Sequence, residues 1–465
     1  MATKPHRVAP SSANRTLTLA YDATSGRLAS VTGPVSERTN YNYDTSGRLE
    51  KVVHQRSSAV IARYSYNADN QLLDVQRMDG TKLVTTTPDL KGRSDERTDG
   101  RSNAFDYGYY QDATTGTRTT QIQDVASTLA PSVQTTDAQG RTTTVADPLS
   151  NTVSFGYDGA SLLPTSVKLP TADRPAITIV RNGSGQPTSI SDPAVVGAQA
   201  IGLTYNAANR VTQVTDETGR AIEAVYNDAQ DLTKVRRFLG TKPVEVGYGY
   251  LNGYLRTVTN PLDKSWTMVR DTYGRVTSVV DPTNVTLTME YDSLGRLWRV
   301  TDPRLSSAMT YTFDDLDRVE TITTPAGVTR YSYDPVTKWL KTITDVQNRT
   351  VTFTYDDTNG DVTKASYAMP VAGGGTTTLE TNYSYARFGD LKTVAAPGAQ
   401  PTTFKVDDLG RVTGTTEVEA GLFDAPRGLV SNHADSGVWS NQKNNGVQVL
   451  DLWVGIEQFK LRQQS

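Results

Sequence analysis

A short motif that recurs about every two dozen residues is the feature that most constrains how this 465-residue chain folds. Aligned on the position that Arg48 occupies, eighteen copies run from Arg27 to Arg411, and successive copies are mostly 21 to 25 residues apart. One wider gap, of 29 residues after Asp361, predicts an insertion near 373–375. We therefore expect one long array in which each unit contacts its neighbours.

Each copy carries the residue pattern of a β-hairpin. In the stretch YNYDTSGRLEKVV, Tyr41 and Tyr43 alternate as they would on one face of a strand. Asp44 can accept hydrogen bonds from N–H groups of a turn, and Gly47 tolerates a positive φ. Asp-x-x-Gly is typical of a type I turn followed by a glycine bulge. The residues predicted to shape the repeat are Tyr43, Asp44, Gly47, Arg48, Tyr291, Asp292, Gly295, Arg296, Asp407, Gly410 and Arg411.

A second turn is marked by proline. It lies seven residues after the arginine position in many copies, as at Pro34, Pro148, Pro261 and Pro303. Proline cannot donate a ladder hydrogen bond, so these positions indicate turns and not strand centres. About six residues then separate two turns, which is a common strand length. The pattern predicts roughly thirty-six strands and no long helix.

The apolar residues between the turns leave one question open. Leu49 and Val52 are three residues apart, and in a regular strand such residues point to opposite faces. Either a bulge intervenes or each face receives only part of the apolar cover. Polar residues are expected to share both faces, so a dry solid core is not expected. So many twisted strands cannot stay flat, and we predict a spiralling ribbon that encloses space, with tyrosine and arginine side chains stacked between copies.

These residues resemble RHS repeats, also called YD repeats after the Tyr-Asp pair ahead of Gly-Arg-Leu. The stretches that carry the resemblance are YDATSGRLASV, YNYDTSGRLEKV, FGYDGASLL, YDSLGRLWRVTDP and DDLGRVTGT. The resemblance implies a large spiralling β-sheet shell, as found in bacterial polymorphic toxins, insecticidal toxin-complex components, wall-associated proteins and teneurins. It also implies a hollow scaffold, often around a toxic C-terminal cargo.

The repeat divides the chain into three predicted regions. Residues 1–20 are a lead-in, 21–417 hold the repeats, and 418–465 form a non-repeat cap or tail. Family members that enclose cargo usually end their repeats in an Asp-Pro-x-Gly segment with acidic residues for self-cleavage, and we find no convincing copy after Arg411. The stretch 446–461 is apolar enough to dock on the last repeat and cover its edge.

The sequence offers little support for catalysis. Its histidines, His6, His54 and His433, are scattered and lack a motif for a Ser-His-Asp triad. The acidic tract 356–361 lacks the spacing of an EF-hand and coincides with a repeated turn, where aspartate is explained as a cap. Cysteine is absent, which excludes disulfides and thiolate metal sites. We therefore expect no enzyme activity, no cofactor and no metal site.

Composition limits the partners. The 47 basic and 50 acidic residues are interspersed, so we expect no nucleic-acid binding. Repeated arginines are expected to pair with neighbouring acids, and acidic ligands are the alternative. Exposed tyrosines with Trp266, Trp298 and Trp339 keep glycan binding open. The partners we expect are an enclosed polypeptide cargo or toxin-system subunits, with glycans and self-assembly as further possibilities.

The expected location follows from the resemblance and from hydropathy. No apolar stretch is long enough for a transmembrane helix, and the N-terminal residues show no apolar signal-peptide core. We expect an extracellular or cell-surface protein that is exported without a visible signal peptide. The predicted function is a non-enzymatic scaffold, the shell or a shell segment of a secreted or surface toxin-delivery protein. The alternative is an extracellular carbohydrate-binding or fibre-forming surface protein.

Overall fold

The structure is a computed structural model of the chain. The residues that it describes are 2–7, 16–35, 37–171, 173–195, 197, 199–240, 242–371, 375–406 and 412–416. The predicted insertion near 373–375 lies mostly outside these ranges, and so do Asp407, Gly410, Arg411 and the whole predicted tail 418–465. None of the described ranges contains a helix that is long and apolar enough to cross a bilayer.

The described residues form thirty-seven strands and no helix. The first eighteen are β1 Ala2–Arg7, β2 Thr16–Tyr21, β3 Leu28–Thr32, β4 Arg38–Tyr43, β5 Leu49–His54, β6 Val60–Tyr66, β7 Leu72–Arg77, β8 Lys82–Pro88, β9 Ser94–Asp99, β10 Ala104–Gln111, β11 Arg118–Asp124, β12 Ser132–Thr136, β13 Thr142–Ala146, β14 Thr152–Tyr157, β15 Pro164–Lys168, β16 Ile177–Arg181, β17 Pro187–Ser191 and β18 Ile201–Tyr205.

The strands that follow are β19 Val211–Thr215, β20 Ala221–Tyr226, β21 Leu232–Leu239, β22 Lys242–Leu251, β23 Tyr254–Thr259, β24 Ser265–Arg270, β25 Val276–Val280, β26 Thr286–Tyr291, β27 Leu297–Thr301, β28 Met309–Phe313, β29 Val319–Thr324, β30 Gly327–Tyr333, β31 Leu340–Thr344, β32 Thr350–Tyr355, β33 Val362–Pro370, β34 Thr376–Tyr385, β35 Leu391–Ala395, β36 Thr402–Val406 and β37 Val412–Thr416.

All of these strands belong to one sheet, in which each strand pairs antiparallel with the next strand of the chain. The all-β array of hairpins predicted from the sequence is thereby confirmed. Most strands have five to seven residues, as the spacing of the two turn types predicts. β33 and β34 are longer, with nine and ten residues, so part of the extra length after Asp361 extends a hairpin.

A β-bulge that recurs in most of the hairpins closed by an Asp-type turn answers the question that the apolar spacing left open. In the β4–β5 pair, Tyr43 lies opposite Leu49 and Tyr41 lies opposite Val52, with a register shift between them. The extra residue brings both apolar side chains onto the face that carries the tyrosines. Polar residues still share both faces of this hairpin, as expected, because Thr39 and His54 lie on the tyrosine face and Asn42 and Lys51 lie on the opposite face. The same shift occurs in the β2–β3, β26–β27 and β30–β31 pairs.

The ribbon coils into a spiral, as contacts between distant hairpins show. Arg56 contacts Asp317, and Arg101 contacts Asp361, at separations of 261 and 260 residues. Residues further along the first segment contact residues further along the second. Successive windings of a spiral give this order, whereas a sheet that folds back on itself would give the reverse order. We call β1–β25 the first winding and β26–β37 the second winding.

The two edges of the ribbon differ in their turns. The aspartate rim is the row of turns that follows even-numbered strands, such as residues 44–48 and 292–296. The proline rim is the row that follows odd-numbered strands, such as 33–37 and 147–151. The spiral lays the aspartate rim of the second winding against the proline rim of the first. We call this contact the seam.

The sheet has almost no dry core in the described residues. Ala20 and Phe353 are the only hydrophobic residues among them that are buried, with 8% and 7% of their surface exposed. The tyrosine face is instead half-buried along most strands. Stability must come mainly from the strand ladder, from the turns and from contacts between neighbouring hairpins, as in other repeat proteins.

Candidate functional site

The aspartate of each repeat closes its own turn. Asp44 Oδ1 accepts a hydrogen bond from Arg48 N at 2.8 Å, and Asp44 Oδ2 accepts one from Arg48 Nε at 2.7 Å. Gly47 N donates to Asp44 O at 2.9 Å, and Gly47 has φ +80°. The hydrogen bond from Arg48 N is the main cause of the lowered pKa of Asp44. The carboxylate is thus held ionised as an acceptor for the turn.

The turn at Asp292 has the same geometry. Arg296 N and Arg296 Nε lie 2.9 and 2.7 Å from the two carboxylate oxygens of Asp292, and Gly295 has φ +81°. Partial burial would raise the pKa of Asp292, but the hydrogen bonds from Arg296 outweigh it and the pKa is lowered. Further Asp–Arg pairs of this kind are Asp89–Arg93, Asp137–Arg141, Asp271–Arg275, Asp314–Arg318 and Asp345–Arg349. The predicted copy at Asp407, Gly410 and Arg411 lies outside the described residues.

The second tyrosine of each alternating pair links one repeat to the preceding one. Tyr43 donates through its hydroxyl to Leu28 O at 2.9 Å, and Tyr291 donates to Val276 O at 2.9 Å. Burial raises the pKa of Tyr43 and, more strongly, that of Tyr333, to about 12. The phenol therefore remains a donor at physiological pH. Equivalent bonds are made by Tyr66, Tyr157, Tyr205, Tyr226, Tyr250, Tyr333, Tyr355 and Tyr385.

The repeated arginines link one repeat to the following one. The Arg48 guanidinium lies 5.1 Å from the Tyr66 ring centroid, and Nη1 donates to Asn67 O at 2.8 Å. The Arg296 guanidinium lies 4.5 Å from the Phe313 ring, and its Nη1 contacts Asp317 Oδ1 at 2.6 Å. Because these arginines already bond to an acid and cover a ring, the geometry favours a structural role over binding of an acidic ligand.

The seam joins arginines that stand outside the repeat pattern to residues of the other winding. Arg101 makes a two-pronged contact with Asp361, in which Nη2 lies 2.6 Å from Oδ1. Arg387 contacts Asp124 at 2.6 Å, and its Nε donates to Asn103 Oδ1 at 2.7 Å. Both arginine side chains are about two-thirds or more buried, so these pairs are less screened than exposed ion pairs.

Apolar and aromatic contacts complete the seam. Val35 lies over Gly295, so closely that a Cβ on this glycine would be 3.1 Å from Val35 Cγ2. Trp339 Nε1 donates to Asp79 Oδ2 at 2.8 Å. Trp339 is therefore engaged in the seam and packs at 5.1 Å against the Tyr355 ring, so it is a wall residue here. Trp266 lies at the proline-rim end of β24, and Trp298 lies in the bulge of β27, directly after the seam turn 292–296.

One seam cluster holds the residues that come closest to a metal-binding set. Glu37, His54 and Asp317 offer ligand atoms within 4.8 Å of one another. Asp317, however, already accepts from Arg56 and Arg296. His54 Nδ1 lies 2.9 Å from Ser57 Oγ, and Nε2 lies 3.4 Å from Asp317 Oδ2. A cation here would face two guanidinium groups, so we interpret the cluster as an ion-pair bridge.

The acidic tract 356–361 is used within the structure. Asp356 Oδ1 accepts from Thr358 N at 2.8 Å and closes its turn, while Asp361 pairs with Arg101. Of the three histidines, His54 lies in the seam, His6 falls in β1, and His433 lies outside the described residues. The described arrangement joins these groups to arginines and turn N–H groups, and it does not bring them together as a nucleophile, a base and an orienting acid.

Reasoning from the sequence missed the seam residues. Arg56, Arg101 and Asp79 sit in proline-rim turns, and Arg387 stands in a turn that begins with Ala386 where most copies have Asp. The sequence feature that could have indicated them is an arginine at a position other than the one that Arg48 occupies in its repeat. Pairing such a cation with an acid some 260 residues away requires the pitch of the spiral, which a local motif does not contain.

The fold and these contacts define a class: an all-β repeat protein whose hairpins form a wound ribbon sealed by a seam. A family model of the teneurin YD shell matches residues 282–397, and a model of the RHS repeat matches residues 137–174. These matches confirm the resemblance to RHS/YD repeats over those residues. No curated protein sequence matches the chain.

Several solved structures are similar to the chain. The crystal structure of TcdB2-TccC3-Cdc42 has a TM-score of 0.46 at 13% identity, over 86% of this chain and 23% of that one. TcdB2-TccC3 without its hypervariable C-terminal region has a TM-score of 0.46 at 12% identity, over 89% and 27%. A Photorhabdus luminescens Tc holotoxin pore has a TM-score of 0.45 at 14% identity, over 87% and 23%. The chain thus spans about a quarter of the length of these proteins.

Proposed function

We propose that this chain is a wall segment of a non-enzymatic shell that encloses a polypeptide cargo in a secreted or surface toxin-delivery protein. The observation that carries the proposal is the seam, because it converts an open ribbon into a wall that continues from one winding to the next. The family resemblance supports the shell role, and the toxin-delivery role and the extracellular location rest on that resemblance alone.

The size of a winding fits a hollow wall. Twenty-three strands separate β3 from β26, whose hairpins meet across the seam. At about 4.8 Å per strand, one winding has a circumference of about 110 Å and a diameter of about 35 Å. Side chains would reduce the interior to about 25 Å. That space accommodates an extended or partly folded polypeptide, and the near absence of buried apolar residues in the described wall agrees with an unfilled interior.

The wall also has the chemistry of a scaffold and not of an active site. Asp44 and Asp292 are held by N–H groups and arginines, and the hydroxyls of Tyr43 and Tyr291 donate to backbone carbonyls. We propose that Tyr43, Asp44, Gly47 and Arg48, with their counterparts in other copies, act structurally. We also propose that 418–465 serves as a cap or tail to the repeat region 21–417.

Protease protection tests the enclosure. An unfolded, protease-sensitive reporter of about 60 residues is fused after Ser465. We expect it to be cut several times more slowly in the wild-type chain than in an Arg101→Ala/Arg387→Ala variant, whose seam is opened. The matched control is Arg210→Ala/Arg220→Ala, which removes two arginines outside the seam and should leave protection intact. Equal cleavage rates in all three proteins would overturn the enclosure of cargo.

A further inference from the structure

A cleft of about 530 Å³ lies in the seam, between the contact of Arg56 with Asp317 and that of Trp339 with Asp79. The first winding forms one wall, from its proline-rim turns and the strands that flank them over residues 57–80. The second winding forms the other wall, from its aspartate-rim turns over residues 314–338. Every residue that lines the cleft is described, and a space of this size accommodates a small molecule.

Positive charge predominates in this cleft. Four of the residues that line it are cations and two are acids, so their net charge is +2. The cations are Arg63, Arg77, Arg318 and Lys338, and the acids are Asp314 and Asp315. The whole chain has a net charge of −3, so the cleft reverses the overall sign locally. A cleft of one sign attracts ions of the other, because its low-dielectric walls concentrate the field of the charges.

One of the two acids is already neutralised within the wall. Asp314 accepts hydrogen bonds from Arg318 Nε at 2.7 Å and from Arg318 N at 2.9 Å. This pair has the same structural role as the other repeated Asp–Arg pairs. It leaves three cations in the cleft against a single acid, Asp315.

The two arginines of the first winding have no partner for their charge. Arg63 lies in β6, opposite Gln76, and Arg77 is the last residue of β7. Among the described residues, neither guanidinium group makes a hydrogen bond, an ion pair or a ring contact. Arg56 and Arg101 differ, because each of them binds an acid of the second winding. An anion in the cleft would therefore meet donors that no acid occupies.

Lys338, on the second winding, has a backbone conformation that lysine rarely adopts. Its φ is +67°, and it is the one cation at positive φ among the described residues. Three other described turns of the same length have glycine at this position, namely Gly26, Gly116 and Gly360. Lysine in place of glycine lowers stability here, and strain of this kind is typical of functional positions. Lys338 Nζ donates to Pro335 O, and the ammonium group retains two further donors.

We propose that the cleft binds a small ligand that carries a phosphate group, held by Arg63 and Arg77 on one winding and by Lys338 on the other. A phosphate group at neutral pH has a charge close to −2, which balances the net charge of the cleft. Its oxygens accept hydrogen bonds from guanidinium and ammonium groups. A ligand held from both walls stabilises the seam, because it binds the closed seam and not the open one. The strength of the seam then depends on a phosphorylated small molecule.

Isothermal titration calorimetry with pyrophosphate, at neutral pH and at an ionic strength held constant with sodium chloride, tests the site. We expect the wild-type chain to bind pyrophosphate with a Kd below about 1 mM. In an Arg63→Gln/Arg77→Gln variant the Kd should rise at least about tenfold, because two charged donors are lost. Arg210→Gln/Arg220→Gln is the matched control, since both arginines are exposed and neither lines the cleft. Its Kd should equal that of the wild type.

Lys338→Gly separates binding from folding. Glycine relieves the positive φ, so we expect the thermal unfolding midpoint without pyrophosphate to rise by about 1 °C or more, while the Kd rises several-fold. A lysine with a purely structural role would give a lower midpoint and an unchanged Kd. In the wild type, saturating pyrophosphate should itself raise the midpoint. This variant keeps the test decisive if the double arginine variant is destabilised.

Three outcomes would overturn the proposal. The first is a wild-type chain that gives no heat of binding with up to about 10 mM pyrophosphate. The second is an Arg63→Gln/Arg77→Gln variant that binds as tightly as the wild type, which would remove the assigned donors. The third is an equal loss in Arg210→Gln/Arg220→Gln, which would mean attraction to the whole surface and not to the cleft. No step involves cargo, so the result is independent of the enclosure test.

Discussion

The turns at 44–48 and 292–296 have nearly identical local geometry but different surroundings. Each aspartate binds the N and Nε atoms of its arginine at 2.7 to 2.9 Å, and each glycine has a φ near +80°. Each preceding tyrosine donates to a carbonyl of the neighbouring repeat at 2.9 Å. The residues of one repeat therefore fix the turn wherever it lies in the spiral.

The difference lies in what covers the glycine. Gly47 is covered by Arg27 of the preceding repeat, whereas Gly295 is covered by Val35 from the other winding in addition to Arg275 of its preceding repeat. The first contact is a property of neighbouring repeats and the second is a property of the spiral. The comparison separates the local contribution of a turn to stability from the contribution that the seam adds to it.

The largest effect is expected for Gly295→Val. A β-branched side chain at φ +81° is strained, and its Cβ would also lie 3.1 Å from Val35 Cγ2. Strain contributes about 1 to 2 kcal/mol and overpacking contributes a similar or larger amount, so we expect a loss of about 3 kcal/mol in the free energy of unfolding. Urea denaturation measures the loss.

Gly140→Val is the control for that substitution. Gly140 has the same φ of +81°, and its Cβ site is open. We expect only the cost of strain, about 1 to 2 kcal/mol. Equal losses at the two sites would mean that the Val35 contact adds nothing. An unchanged unfolding midpoint for Gly295→Val would also remove the assignment of a positive φ to this turn.

Breaking the ion pair of the seam should have the next largest effect. In Asp361→Ala, Arg101 loses its two-pronged partner while remaining mostly buried, and we expect a loss of about 2 kcal/mol. Asp361 does not cap a turn, so the loss reports the seam. The double variant Arg101→Ala/Asp361→Ala should lose less than the sum of the two single variants, as measured by urea denaturation in a double-mutant cycle. Additive losses would show that the two side chains do not interact.

The hydrogen bond from the tyrosine hydroxyl should contribute equally to the free energy of unfolding at both turns. Tyr43→Phe and Tyr291→Phe each remove one hydroxyl donor to a backbone carbonyl, and each should lower the free energy of unfolding by about 1 kcal/mol. Parallel thermal and urea unfolding of the two variants measures this. A loss that is several times larger at Tyr291 would show that the spiral, and not the repeat alone, determines this bond.

The sequence patterns predict the hairpins but not the pitch of the spiral. Alternating tyrosines, Asp-x-x-Gly and the second turn at proline are short-range patterns, so the strands and their antiparallel order could be predicted from them. The bulge opposite Tyr43 could only be stated as an alternative, because a spacing of three has two explanations. The choice between the two explanations depends on the cross-strand register, which the sequence of one strand does not specify.

The seam could not be predicted for a different reason. Arg101 and Asp361 are 260 residues apart, and their meeting depends on small twists summed over more than twenty strand pairs. A change of a few degrees per strand would place Arg101 opposite another turn. A motif describes one repeat and carries no information on the summed twist of many strands. The seam could therefore be identified only from the structure.

The smallest effect concerns two turns of the proline rim that differ in charge. Asp302 accepts from Arg304 Nη2 at 2.7 Å and from Arg304 N at 3.0 Å, and Arg304 lowers the pKa of Asp302 to about 2. The neutral Asn260 closes its turn with the same kind of backbone bonds, to Leu262 N and Lys264 N. We therefore expect Asp302→Asn to keep the turn and to lose only the contribution of the charge.

That contribution has a defined pH dependence. The pKa of Asp302 is lower in the folded chain than in the unfolded chain, so the ionised carboxylate stabilises the fold above about pH 4, and this stabilisation is lost as the pH falls towards about 2. Thermal unfolding of the wild type and Asp302→Asn should differ slightly at pH 7 and converge at pH 2 to 3. High salt at pH 7 should shrink the difference, because Arg304 is largely exposed. A difference that persists unchanged at low pH would mean that the amide disturbs the turn itself, and that Asp302 and Asn260 are not interchangeable caps.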